Sequence, residues 1–139
     1  MKRFLAASAL LLIAVMAPRS AFAGKKEREF MNNEVVPAVK KAETAYQTSC
    51  GCALTINVSD TLEKTDDMRR ARSIANAISD NVPKYCSDAE SKKAVCSMKT
   101  LDIVKGAKTT FAFKDGKGTA TTDGTSHVSW AMITREIDK

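Results

Sequence analysis

The sequence contains little histidine, aromatic residue, proline or glycine. Its 139 residues include one histidine, one tryptophan, three prolines and six glycines, and aromatic residues make up 6%. So little proline and glycine excludes a collagen-like or low-complexity chain. With a single histidine, any Ser-His or Cys-His mechanism would have to use His127. Neither a Gly-x-Ser-x-Gly elbow nor a glycine-rich phosphate loop is present in the sequence.

The overall composition is that of an ordinary globular protein. Hydrophobic residues make up 44% and charged residues 27%, which excludes full-length disorder. The length suits one domain and is too short for two independent cores. The formal net charge is +6, and Lys2, Arg3 and Arg19 in the first 23 residues carry half of it. The charge that remains on residues 24–139 is mild, so we do not expect a nucleic-acid partner.

Residues 1–23 have the pattern of a secretory signal peptide. Lys2 and Arg3 precede the apolar run 4–16, and Ala21-Phe22-Ala23 fits the small-x-small cleavage site. The run is too short to span a membrane, which needs about 20 apolar residues. We expect cleavage after Ala23, a mature domain of residues 24–139 without a membrane span, and a periplasmic or secreted location.

Four cysteines lie in the expected mature part: Cys50, Cys52, Cys86 and Cys96. An even number of cysteines in a small exported protein predicts disulfide bonds. A helix predicted at 88–95, with a Ser-x-x-Glu capping pattern that begins at Ser87, would hold Cys86 and Cys96 about 15 Å apart. Because a disulfide tolerates about 7 Å between Cα atoms, each should bond to Cys50 or Cys52. The sequence slightly favours Cys50–Cys86 with Cys52–Cys96 over the crossed pairing.

Apolar residues at helical spacing predict two further helices, at 25–49 and 66–83. Pro37 should kink the first helix or mark a start just before it, with Asn33 as a plausible cap. Thr65 should cap the second helix, and Pro83 should end it. The tail 125–138 fits a helix capped by Ser126, in which Trp130 helps to anchor the core, and a final strand is the competing interpretation.

Alternating apolar residues predict strands at 53–59, 98–104, 109–114 and 118–122. Asp115-Gly116 suits a tight hairpin turn between the last two strands. That turn would pair Phe111 with Ala120 and Phe113 with Gly118. The sequence therefore predicts a small α+β domain with two disulfides. Two to four helices should pack on one face of a mainly antiparallel sheet of three or four strands.

The closely spaced Cys50 and Cys52 are the sharpest chemical feature. Bonded to each other, they could exchange disulfides with other proteins, as in a thiol–disulfide oxidoreductase or isomerase. We instead expect each to form a structural cross-link, because the cysteine count is even and the capping pattern separates Cys86 from Cys96. The four thiols, with Met98 and His127 as alternates, do not have the spacing of a zinc ribbon. We therefore expect no metal site and no cofactor, and His127 in a solvent-exposed turn.

Basic residues form a candidate interaction surface: Arg69, Arg70, Arg72, Lys92 and Lys93. Such a surface could bind an anionic envelope polymer or another exported protein. The main functional expectation is an exported, non-catalytic binding or accessory protein whose partner is a protein or an envelope component. The alternative is the thiol–disulfide enzyme that uses Cys50 and Cys52.

Overall fold

The computed structural model describes residues 24–139. The predicted signal peptide, residues 1–23, lies outside the described residues. None of the helices between residues 24 and 139 has the length and apolar character that a membrane span requires.

A continuous helical stretch opens the described chain. Helix α1 (Lys25–Phe30) runs into a π-helical segment (Met31–Val35), which runs into α2 (Val36–Cys50). The predicted start near Asn33 is wrong, since Asn33 lies inside the π-helical segment. Pro37 is tolerated because it lies in the first turn of α2, where the wider π-helical turns precede it and its missing N–H is not needed.

Two helices follow the first strand, β1 (Thr55–Val58). Helix α3 (Thr65–Tyr85) begins after Lys64, and not after Thr65 as predicted, with the Lys64 N–H donating to Asp67 Oδ2 at 3.3 Å. It continues two residues past Pro83, where the Cys86 N–H resumes the helical hydrogen bonding to the Val82 carbonyl at 2.9 Å. The predicted stop at Pro83 is therefore wrong by half a turn.

Helix α4 (Ala89–Cys96) is the predicted short helix, moved by one residue. Its cap is Asp88, and not Ser87, because Asp88 Oδ1 accepts the Ser91 N–H at 2.8 Å. Cys86 therefore lies just before α4 and Cys96 is its last residue, so the helix separates the two cysteines as predicted.

The sheet has the strand order β1-β2-β4-β3, where β2 is Thr100–Lys105, β3 is Thr110–Lys114 and β4 is Lys117–Thr122. The domain is α+β as predicted, but the sheet is mixed rather than mainly antiparallel. Strand β1 is parallel to β2, and β2 is parallel to β4; the β3–β4 hairpin alone is antiparallel. The connection through α3 and α4 is long enough to return β2 parallel to β1.

The hairpin has the predicted register. Phe111 lies opposite Ala120, and Phe113 lies opposite Gly118. Asp115 and Gly116 have φ angles of 52° and 79°, the left-handed pair that a two-residue primed turn needs. The small partners leave space under the rings, where Met98 Sδ lies only 2.6 Å from the position that a Cβ on Gly118 would occupy.

The tail ends in helix α5 (Trp130–Ile137), so of the two interpretations the helix is correct. The cap is Ser129, whose hydroxyl accepts the Met132 N–H at 3.3 Å, and the predicted cap Ser126 lies in the preceding loop. Trp130 is partly buried against the core, with its ring edge-to-face on Tyr85 at 5.4 Å between centroids.

The helices cover one face of the sheet. Leu101, Ile103 and Ala120 are fully buried on that face, while Asp102 and Thr119 on the other face are partly exposed. Helices α2 and α3 pack side by side and run parallel, because Glu34 pairs with Arg72 near their starts and Cys50 bonds to Cys86 at their ends. The main core lies between this helix pair and the sheet.

Both disulfides follow the slightly favoured pairing. Cys50 is bonded to Cys86 and Cys52 to Cys96, with Cα separations of 5.4 and 5.8 Å. Gly51, at a φ of 70°, makes the left-handed corner that ends α2 and turns Cys52 toward α4. The three-residue corner is thus joined to both ends of α4.

Removing the second disulfide should destabilise the domain without unfolding it. The double substitution Cys52→Ala with Cys96→Ala opens a loop of 44 residues, and we expect a loss of about 3–4 kcal/mol in the free energy of unfolding. Cys50→Ala with Cys86→Ala should cost more, because Cys50 is only 1% exposed and its removal also leaves a cavity. Denaturant titration measures both. A loss below about 1 kcal/mol in the free energy of unfolding for both double variants would contradict a structural role of the disulfides.

Candidate functional site

The cysteines proposed for redox chemistry are not bonded to each other. Cys50 is nearly inaccessible, and each member of the pair is joined to a different end of α4. In this state all four sulfur atoms are in disulfides, so they cannot serve as thiolate ligands of zinc. Of the proposed alternates, Met98 is fully buried and His127 is exposed, and residues 24–139 hold no cluster of metal-binding side chains.

The arginines of the predicted interaction surface are engaged within the fold. The guanidinium groups of Arg69 and Arg72 lie 5.9 and 5.4 Å from the centre of the Phe30 ring. Arg69 also pairs with Asp66 at 2.9 Å, and Arg72 pairs with Glu34 at 2.7 Å. The contacts with Phe30 and Glu34 hold the start of α3 against the N-terminal helical stretch.

The remaining basic residues lie elsewhere. Arg70 Nε donates to the Gly124 carbonyl at 3.3 Å and not to the residues around Phe30. Lys92 and Lys93 are exposed on α4, which follows the far end of α3, and α3 is about 30 Å long. The structure therefore does not bring the five predicted residues together into one surface.

The loop that carries His127 is organised by Asp123. Its Oδ1 accepts the N–H groups of Thr125 and Ser126 at 2.9 and 3.1 Å and the Thr125 hydroxyl at 2.8 Å. These hydrogen bonds, that of the Thr125 hydroxyl first, hold the pKa of Asp123 well below its ordinary value. His127 is exposed in this turn, as expected, and the loop geometry is accounted for by its own hydrogen bonds.

An ion pair with a buried carboxylate lies beside the same loop. Asp67 is 2% exposed, and its Oδ1 is 2.7 Å from Lys105 Nζ. Its other oxygen accepts the Lys64 N–H, so the carboxylate has a partner on each side. The pair joins the start of α3 to the end of β2, and removing Lys105 would leave the buried Asp67 carboxylate with the Lys64 N–H as its remaining partner. We assign it a structural role.

An apolar groove lies between the N-terminal helical stretch and the edge of the sheet. Its volume is about 350 Å³, and it is lined by Met31, Val35, Val36, Val39, Lys40, Glu43, Ile56 and Val58. Val36, at 38%, is the exposed large hydrophobic side chain among residues 24–139. We call this feature the β1 groove.

The floor of the β1 groove is an unpaired strand edge. Among the described strands, β1 pairs with β2 alone. The N–H groups of Thr55 and Ser59 donate to β2 residues or their neighbours, so the alternate backbone groups of Ile56 and Val58 face the groove. The Ile56 N–H donates to Glu43 Oε1 at 2.8 Å, and one carboxylate thus covers part of the edge.

The π-helical segment shapes the upper wall of the groove. Residues 31–35 contribute Met31 and Val35 to its lining, and the next residue is Val36. A π-helical turn is wider than an α-helical one, so it shifts the facing direction of every residue that follows. Regular α-helix is the more stable alternative, so a π-helical segment is rare, and where one is present it often lies at a functional site.

The β1 groove is not predicted by the local sequence patterns. The apolar spacing that predicts a helix at 25–49 includes Met31, Val35 and Val39, of which Met31 and Val35 are buried and Val39 is partly buried, but it does not include Val36. An apolar residue outside the buried stripe of an amphipathic helix was the available signal. That β1 is an edge strand depends on the strand order, which the local pattern does not contain.

A larger but more polar groove lies between α4 and the end of α5. It measures about 720 Å³ and is bordered by residues that include Tyr85, Lys93 and Asp138. The Tyr85 hydroxyl donates to Asp138 Oδ2 at 2.6 Å, and this hydrogen bond joins the end of α5 to the end of α3. Its lining mixes charged and polar residues with Tyr85, Ala94 and Ile137, and because Ile137 is buried the groove has no exposed aliphatic side chain comparable to Val36.

Comparison with known proteins gave no relative: no family model, no curated protein and no solved structure matches this chain.

The two tyrosines should ionise only at strongly alkaline pH. Burial, and then the hydrogen bond to Asp138, raise the pKa of Tyr85 from 10.0 to about 12, and burial also raises the pKa of Tyr46. The stability linked to neutral Tyr85 is complete below pH 10 and should be lost as the pH rises from about 10 to about 12. Phenolate absorbance measures the titration. Asp138→Asn should lower the Tyr85 pKa in part, and a tyrosine that ionises near pH 10 in the wild type would refute the assignment.

Proposed function

We propose that the protein is exported to the periplasm or the cell exterior and acts there as a non-catalytic binding or accessory protein. The observation that carries the proposal is the β1 groove, where an exposed valine and an unpaired strand edge meet. Apolar anchors beside unused backbone hydrogen-bonding groups are suited to recognising another protein.

Two observations support export. The disulfides Cys50–Cys86 and Cys52–Cys96 are typical of proteins that fold in an oxidising compartment. Independently, residues 1–23 have the charge, length and cleavage-site pattern of a signal peptide. A cytosolic protein would need neither feature.

A protein partner is favoured over an anionic envelope polymer. Polymer binding would need a continuous basic surface, and three of the five predicted residues are held in contacts with Phe30, Glu34, Asp66 or Gly124. The β1 groove instead offers apolar surface and a strand edge, which match protein side chains and backbone.

The alternative of thiol–disulfide exchange gains no support from the site. Attack on a disulfide requires access to one of its sulfur atoms. Cys50 and Cys86 are 1% and 8% exposed, which leaves the bond between the partly buried Cys52 and Cys96 as the more accessible one. Because Cys50 and Cys52 are joined to opposite ends of α4, their bonds are better suited to holding the helix ends together.

Site-directed photo-cross-linking tests the proposed function. A benzophenone amino acid should be placed at Val36 and, as a control, at Ala112, an exposed residue of β3 away from the groove. The chain is expressed with its own N-terminus in the source cells. We expect one protein to be cross-linked after export at Val36 and not at Ala112. The same protein, once purified, should lose at least about tenfold in affinity with Val36→Asp but not with Ala112→Asp, because a buried charge opposes apolar contact.

Three outcomes would contradict the proposal. A chain that remains in the cytoplasm with residues 1–23 attached would overturn export. Cross-linking that is equal at both positions would overturn the assigned site. An unchanged affinity of Val36→Asp, with an unchanged melting temperature, would also remove the β1 groove from the interface.

A further inference from the structure

The β1 groove offers a strand-like ligand a defined set of backbone partners. In a parallel pair, the N–H and C=O of one residue both face the same neighbour, and those of the next residue face away. Thr55 and Ser59 face β2, so both backbone groups of Ile56 and of Val58 face outward. The Ile56 N–H has a partner in the Glu43 carboxylate, and that partner is a side chain that can move.

The dimensions of the groove favour a short segment over a second folded surface. A stable dimer buries about 800 Å² on each partner, with an apolar centre. Here Val36 is the exposed large apolar side chain among residues 24–139, and the groove holds about 350 Å³. The four residues of β1 extend over about 13 Å, which matches a short extended peptide.

We propose that the β1 groove binds a short extended segment of another protein as an additional strand along β1, and that this segment displaces Glu43 from the Ile56 N–H. The proposal rests on the proposed binding function and specifies its ligand. Alternate side chains of the segment, which should be apolar, would lie against Val36 and Val39. The side chains between them would face solvent.

Glu43 is then a competitor that covers the edge until the ligand arrives. A carbonyl of the segment would accept the Ile56 N–H, and an N–H of the segment would donate to an outward carbonyl of β1. The released carboxylate has a cationic neighbour at helical spacing, since Lys40 precedes Glu43 by three residues and also lines the groove. Edge strands are often protected in this way against uncontrolled pairing.

Peptide selection tests the ligand class. A phage-displayed library of random nonapeptides is selected on the exported protein, with the Val36→Asp variant as the counter-target. We expect enriched peptides with apolar residues at alternate positions. The best peptide is then synthesised with and without N-methyl groups on its alternate backbone nitrogens, and its Kd is measured by fluorescence anisotropy. N-methyl groups on the set of nitrogens that faces β1 remove the strand hydrogen bonds and keep the side chains, so they should weaken binding of the peptide at least about tenfold.

Variants at Glu43 test the displacement. Glu43→Ala should tighten binding of the unmodified peptide about three- to tenfold, because no carboxylate competes for the Ile56 N–H. Glu63→Ala is the matched control, since Glu63 is an exposed carboxylate in the β1–α3 loop, and it should leave the Kd unchanged. Melting temperatures establish that both variants are folded.

The outcomes separate this inference from the proposed function. No enrichment over Val36→Asp, or equal binding with N-methyl groups on either set of alternate nitrogens, would overturn strand addition. A partner cross-linked through Val36 would still support the binding function in that case. Weaker peptide binding by folded Glu43→Ala would overturn displacement. A concentration-dependent dimer that Val36→Asp dissociates would assign the groove to a second copy and overturn the peptide proposal.

Discussion

The two disulfides at the Cys50-Gly51-Cys52 corner are the constraint on which the rest of the structure depends. They join the end of α2 to the end of α3 and to the end of α4 within three residues. Two parallel helices that end together would otherwise be held by side-chain packing and by the ion pairs near their starts. Closing loops of 36 and 44 residues also restricts the unfolded chain, which matters for a domain of this size.

The same corner sets the geometry of the β1 groove. Strand β1 begins four residues after Gly51, so the direction in which the chain leaves α2 decides how the strand lies beside the helix. Glu43 then reaches the Ile56 N–H, and Val36 and Val39 lie above the strand edge. At the other end, the contacts of Arg69 and Arg72 with Phe30 hold the N-terminal stretch against α3. The β1 groove is therefore formed because both ends of the helix pair α2 and α3 are fixed, and it is already present in the unbound fold.

Local patterns predicted the features whose causes are local. The capping pattern before α4 correctly separated Cys86 from Cys96, and Asp115-Gly116 correctly fixed the register that pairs Phe111 with Ala120. The parallel arrangement of β1, β2 and β4 was not predicted, because the alternation of apolar and polar residues shows which face of a strand is buried and not in which direction the strand runs. Pro37 correctly marked a start of regular helix just before it, at Val36, but Asn33 was wrong as the cap because it lies inside the preceding π-helical segment. The β1 groove was missed because strand order and the exposure of Val36 are properties of the assembled fold.

Disulfide mapping of the protein as its source cells produce it, by mass spectrometry of peptides digested without reduction, tests the central claim most directly. A protease cleaves the chain between Cys86 and Cys96, and partial acid hydrolysis opens the Cys50-Gly51-Cys52 corner. After both cuts, each disulfide lies on a separate fragment. The account predicts fragments that join Cys50 to Cys86 and Cys52 to Cys96. A Cys50–Cys52 bond, with Cys86 joined to Cys96, would contradict it, because the ends of α2, α3 and α4 would then not be held together.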